Sequence, residues 1–205
     1  MKKMNSVHGS SGERRRQILQ AALSCFTEQG FSDTSMSHIC ERAGASVGSM
    51  YHHFRSKEQL ATAVYMDGIV QYQQGLLGAL GGEAEADRGV RAIIEFHLRW
   101  VAANPDWARF LFRMRHESFM TGTDDEFSRL NREFVQGISQ WFARHVKAGV
   151  IRKMAWDMYV AILLGPCQEF ARMYLAGKTI SSIDAAVDEL SRTAWNSLAA
   201  ADVTK

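Results

Sequence analysis

The stretch "TSMSHICERAGASVGSMYHHFRSKEQL", Thr34 to Leu60, decides how this chain is read. Met36, Ile39, Cys40 and Ala43 recur at helical spacing, a hydroxyl from Thr34 or Ser35 can cap them, and Gly44 follows as a stop. A second helix starts almost at once, with Ser46 placed to cap it and Met50 and Phe54, four apart, sharing one face. "RSKEQL" then opens a third, in which Ser56 and Gln59 have the spacing of a capping box. Two short helices joined by a turn of about three residues make a helix-turn-helix.

Upstream, Ile18, Leu19, Ala22, Leu23 and Phe26 predict a helix from Glu13 to Gln29, ended by Gly30, with Phe31 folding back on it. Downstream the helical pattern persists. The helix opened by "RSKEQL" extends from Lys57 to about Leu80, and further helices are expected near 84–103, 106–120, 124–148, 155–176 and 180–200. Gly165-Pro166 should kink the fourth of these. Two prolines in 205 residues and few β-branched runs agree with helix nearly everywhere. The fold class expected is all-α: a three-helix lobe over 13–58, a larger helical domain over 59–205, and a flexible polar arm over 1–12.

A hydrophobic content of 46% supports a sizeable core, and no charge-free span reaches the roughly 20 residues a membrane helix needs. "MKKMNSVHGSSGERRR" has no apolar run after its lysines, so a secretory signal is not expected. Cys25, Cys40 and Cys167 have neither CxxC pairing nor metal-ligand spacing, which fits a reducing, cytoplasmic setting. Charge is uneven: residues 1–57 carry eight Lys and Arg against four acids, a net +4, while the remainder nets −2. The basic end is suited to a polyanion.

The block "ILQAALSCFTEQGFSDTSMSHICERAGASVGSMYHHFRSKEQL", Ile18 to Leu60, resembles the DNA-binding region of the tetracycline-repressor (TetR) family. A helix ending in F-x-x-x-G-[FY] leads into T-[ST]-[MV]-x-x-I-x-x-x-A-G-[VA]-S-x-G-[ST]-[LIM]-Y-x-[HY]-F-x-[SN]-K-x-x-L, matched in fixed register. The resemblance implies a bacterial transcription regulator that binds an inverted-repeat operator as a homodimer, joined through its last two helices. It implies phosphate contacts from Tyr51, His53 and Lys57, and places the N-terminal arm, with Arg14, near the DNA backbone. It departs from the family at Val47, where relatives often hold Lys or Arg. A charged contact is then missing, and the aliphatic group is suited to a thymine methyl.

The residues themselves fit a groove reader. Ser46, Val47, Gly48, Ser49 and His52 offer a small first turn able to sink into a groove about 12 Å wide. Thr34 or Ser35 can pair a phosphate while capping. Adjacent His52 and His53 point about 100° apart on a helix, whereas paired metal ligands need a spacing of three or four, so no metal or cofactor is expected. In the second half His97, Trp100, Phe110, Met114, Gln168 and Arg172 are the expected lining of a site for a small, largely apolar effector.

The function expected is a repressor released from its operator by that effector. The alternative is a helical enzyme or carrier with an incidental helix-turn-helix, built around His97, Arg113, His116 and Glu117, for which no nucleophile-base pair or phosphate loop speaks.

Overall fold

The computed structural model of the chain describes residues 7–114 and 125–201, without the side chains of 7–10, 125–127 and 130. Among the described residues there are nine helices: α1 (Val7–Gln29), α2 (Met36–Ala43), α3 (Val47–His53), α4 (Lys57–Gly81), α5 (Ala86–Ala103), α6 (Pro105–Met114), α7 (Asp125–Lys147), α8 (Trp156–Leu175) and α9 (Ile183–Leu198). An all-α chain was the expectation, and its helix ends fall close to those read from caps and stops. One difference stands out: α1 begins at Val7, inside the stretch expected to be a flexible arm. α8 carries Pro166 within a single helix, as the sequence segment 155–176 implied. Proline there removes the N–H that would meet the Ile162 carbonyl, without dividing the helix. His116, Glu117, Phe119 and Met120 lie outside the described residues.

The chain divides into two compact units. The first takes in α1 to α3, α4 as far as Ile69, and α6 from Asp106; the second takes in Val70–Pro105 and everything described from Asp125 on. The first unit is larger than the 13–58 lobe expected from sequence, for a packing reason. Leu60, Ala61 and Val64 of α4, with Phe110 and Met114 of α6, are buried in the same core as Ile18, Leu23, Phe26, Ile39, Met50 and Phe54. Phe110 stacks on Phe26 with ring centroids 5.6 Å apart, and the Trp107 ring fills the space where Gly68 lacks a Cβ. Gly30 and Gly44 both have positive φ, 86° and 56°, so each ends its helix in a conformation that a side chain would strain.

In the second unit α5 packs on α8 and α9. Val90, Ile94, Leu98, Leu163, Cys167, Val187 and Leu198 form its centre. Bare glycines let rings come close: Gly89 lies against Trp141, and Gly75 lies 2.5 Å, measured from a Cβ built there, from the Phe96 ring. The Trp141 indole N–H donates to the Glu83 carbonyl at 3.1 Å, which fixes that ring. All three cysteines are free and buried, Cys25 and Cys40 in the first unit and Cys167 in the second. Burial pushes the Cys167 thiol up to about 12. No helix among the described residues is long and apolar enough to cross a membrane.

Candidate nucleic-acid interface and ligand cavity

The first unit presents α3 by its caps. Ser46 Oγ accepts the Ser49 N–H at 3.2 Å, and the Phe54 N–H closes the helix on the Met50 carbonyl at 2.9 Å. Met50 and Phe54 are buried, 0% and 3% exposed, which turns the opposite face outward. On that face Val47 is 62% exposed and Tyr51 51%, and Ser46, Gly48 and His52 are exposed beside them. A Cβ at Gly48 would meet nothing within 4 Å, so the backbone there is open to close approach. Ser49 and His53 are half-buried. Burial, then the neighbouring charges of His52 and Arg15, lower the His53 pKa and favour the neutral ring.

Two of the expected contact residues have internal partners instead. Thr34 is 1% exposed, and its hydroxyl lies 2.7 Å from the Gly30 carbonyl and 3.2 Å from that of Cys25. It ties the turn to the end of α1 and cannot reach a phosphate. The cap of α2 is Ser35, whose Oγ accepts the His38 N–H at 3.2 Å. Lys57 donates from Nζ to the carbonyls of Phe31, Ser32 and Thr34 at 2.7, 3.1 and 2.8 Å, and lies 4.5 Å from the centre of the Phe31 ring. Its three N–H groups are matched to three oxygens, so it is a strut between α4 and the turn before α2.

Arg14 reaches from α1 to the carbonyls of Ala43 and Gly44 at 3.4 Å, the end of α2 where a cation is favourable. Sequence reasoning missed these struts, and it missed Arg42, whose guanidinium grips the Glu28 carboxylate at 2.5 and 2.6 Å. That pairing, first through its hydrogen bonds, holds the Glu28 carboxyl below the usual range. Arg16 is likewise paired with Glu13. The carbonyl partners of Arg14 and Lys57 are neutral, so both keep their positive charge within the lobe. Arg15, over the Phe54 ring at 5.5 Å, and Arg55 are exposed.

The second unit holds an apolar cavity of about 100 Å³. Its lining comes from Tyr72 and Leu76 of α4, Ile93 of α5, Phe134, Ile138 and Phe142 of α7, and Trp156, Tyr159, Val160, Leu163 and Leu164 of α8. The two tyrosine hydroxyls among them are engaged: Tyr159 donates to the Arg152 carbonyl at 2.9 Å, and Tyr72 is 2.8 Å from His97 Nδ1.

None of the six residues expected to line an effector site is in this lining. Phe110 and Met114 belong to the core of the first unit. Arg172 is exposed and paired with Glu169 at 2.5 Å, and Gln168 is half-buried. Trp100 meets Tyr72 edge-on at 5.2 Å. His97 is buried beside Tyr72 with its Nε2 unpartnered, and burial lowers it to about 4, so it is neutral near pH 7. The signal that could have found the lining is periodic: Phe134, Ile138 and Phe142 stand four apart, as do Trp156, Val160 and Leu164.

Among the described residues no three His, Cys, Asp or Glu side chains are grouped to hold a metal ion.

Residues 18–64 match the model of the bacterial regulatory proteins, tetR family. The HTH-type transcriptional regulator UidR of Escherichia coli (strain K12) is 40% identical over 92 residues, 45% of this chain and 45% of UidR. The regulator BetI of Escherichia coli O127:H6 is 34% identical over 88 residues, 42% of this chain and 45% of BetI. The match thus spans less than half the length of these curated relatives. The fold is similar to that of a TetR family transcription regulator from Marinobacter aquaeolei VT8, with a TM-score of 0.82 at 19% identity over 95% of this chain and 100% of that one. It is also similar to that of the transcriptional regulator FadR from Bacillus subtilis, solved in complex with stearoyl-CoA, with a TM-score of 0.68 at 16% identity over 87% of this chain and 96% of that one. Residues 18–64 are therefore a segment of the type found in the bacterial regulatory proteins of the tetR family, and the fold around them is similar to that of solved tetR-family regulators.

Proposed function

We propose that the protein is a transcription regulator, a homodimeric repressor that leaves its operator when a small apolar molecule enters the second unit. The observation that carries this reading is the outward face of α3. Ser46, Val47, Gly48, Tyr51 and His52 are exposed within the block matched to the tetR family, on the side of the helix opposite its buried Met50 and Phe54. Tyr51 and His53 clamp phosphates, Ser35 and Ser49 assist at the groove edges, and Arg14 and Lys57 act as fixed charges behind the contact surface. The protein works in the cytoplasm and catalyses no reaction.

Dimerisation through α8 and α9 is supported by the apolar groove between them, lined by Ile162, Pro166, Leu190 and Ala194, with Met173 exposed farther along α8. A two-fold axis there presents two α3 helices to an inverted repeat.

The effector fits the cavity by its hydrocarbon part, since the lining is aliphatic and aromatic and both of its tyrosine hydroxyls are engaged. At about 100 Å³ the cavity is smaller than the roughly 300–1,000 Å³ of ordinary ligand sites, so a ligand enters by displacing side chains. Such displacement supplies the unequal affinity for two states that a switch requires. The Bacillus subtilis neighbour holds stearoyl-CoA, whose acyl chain is a group of this kind.

The test is direct. Purified protein should bind duplex from its own upstream region in preference to random duplex of equal length at moderate salt, and equal binding to both would end this reading.

A further inference from the structure

We propose that Val47 selects a thymine, its isopropyl group packing on the C5-methyl of that base in the major groove; the assignment rests on the DNA-binding reading above. Of the large apolar side chains exposed among the described residues, the first unit contributes two, Val47 and Tyr51. Both are on α3, four residues apart, and so on one face. The remaining large apolar groups of this helix and its cap, Met50 and Phe54, are buried. The fold therefore places the large exposed apolar side chains described in this unit together on the outward face of α3.

What covers Val47 must be apolar and must lie within a charged partner. Arg15 and Arg55 are exposed on the same unit, and Arg14 and Lys57 keep their charge close behind, a setting for a polyanion rather than for an apolar protein surface. In the major groove the base edges present hydrogen-bond donors and acceptors and a single apolar group, the thymine methyl. Valine has no donor or acceptor, so it distinguishes bases there through that methyl alone. Two features sharpen the contact. A β-branched side chain in a helix holds one dominant χ1 rotamer, which fixes where its methyls point. Gly48 beside it leaves the backbone bare, so the first turn of α3 can sit deep enough for carbon to meet carbon.

The experiment removes the methyl from each side of the contact. A preferred duplex is first selected from a random-sequence pool by the full-length wild-type protein. Each thymine is then replaced by deoxyuridine, symmetrically in both half-sites, and dissociation constants are measured by fluorescence anisotropy at fixed salt for wild type and Val47→Ala. For wild type, one thymine position should cost about fourfold per half-site, the worth of one methyl taken from water. Val47→Ala should bind the unmodified duplex more weakly by a similar factor and be indifferent to deoxyuridine at that position.

Equal sensitivity of the two proteins at every position would overturn the assignment, as would unchanged affinity of Val47→Ala. So would a change of oligomeric state in Val47→Ala, which would make the face a protein contact. Failure to enrich any sequence would sink the regulator reading itself and this assignment with it. An exposed side chain is being shortened, so an unchanged thermal melt is expected and keeps the comparison valid.

Discussion

The turn before α2 and the interior around Tyr72 both bury polar groups, but they satisfy them differently. At the turn, the Thr34 hydroxyl and the Lys57 ammonium meet five backbone carbonyls from four residues or fewer apart along 30–34 and from the end of α1. Around Tyr72, His97 has one nitrogen on the tyrosine hydroxyl and the other without a partner, while aromatic rings close in on three sides. Directed hydrogen bonds fix the first region, and shape fixes the second. A region held by direction keeps its geometry under load, whereas one held by shape can repack around a guest.

The largest effect expected is in the shape-held region. Gly89→Leu pushes a side chain into the Trp141 ring, and overpacking of this kind should cost the second unit about 3 kcal/mol in a denaturant titration. A neutral result would show that the glycine-ring contacts are loose and weaken the contrast.

His97 gives an effect of similar size that is read by pH. In the unfolded chain it takes up a proton near 6.5, while in place it stays neutral down to about 4. Between those values only the unfolded state binds the proton, so stability falls as pH is lowered across the window, by about 3 kcal/mol, and levels off below it. His97→Gln should flatten that part of the stability-pH curve; an unchanged slope would mean that the histidine is not the buried neutral group described.

Smaller changes probe the direction-held turn. Lys57→Met leaves the Phe31, Ser32 and Thr34 carbonyls without their donor and should lower stability by about 2 kcal/mol. Thr34→Val should cost about 1 kcal/mol, with Thr34→Ser close to wild type, because the hydroxyl rather than the methyl meets Gly30 and Cys25. If both variants melted normally and lost affinity for DNA instead, the struts would be contacts after all. The smallest effect is at Tyr51→Phe, which should leave the melt unchanged and weaken operator binding several-fold through one phosphate contact.

The same contrast explains what could be read from sequence. Ser35, Ser46, Gly30 and Gly44 announce helix ends because capping acts over three or four residues, and α2 and α3 fall within a residue or two of where those signals put them. "RSKEQL" was nearly right in detail: Ser56 Oγ accepts the Gln59 N–H, but Gln59 reaches back to the Arg55 N–H, one residue before the cap. Thr34 and Lys57 were misread because a polar side chain in a basic lobe looks the same whether it faces a phosphate or a carbonyl 23 residues away. Phe110 and Met114 look like pocket residues until α6 is seen to pack on Phe26 and Gly68, partners far away along the chain. The cavity itself depends on which periodic faces of α4, α5, α7 and α8 meet, and periodicity names a face without naming its neighbour.

The buried cysteines give each unit its own clock. Cys25 and Cys40 are closed inside the first and Cys167 inside the second, so a thiol reagent can react with each only when its surroundings open. Labelling followed by mass spectrometry on peptides bearing one cysteine would time the openings of the two units separately, in a chain with no foreign probe. An apolar molecule seated against Leu163 should slow the Cys167 clock, and a duplex on α3 the other two.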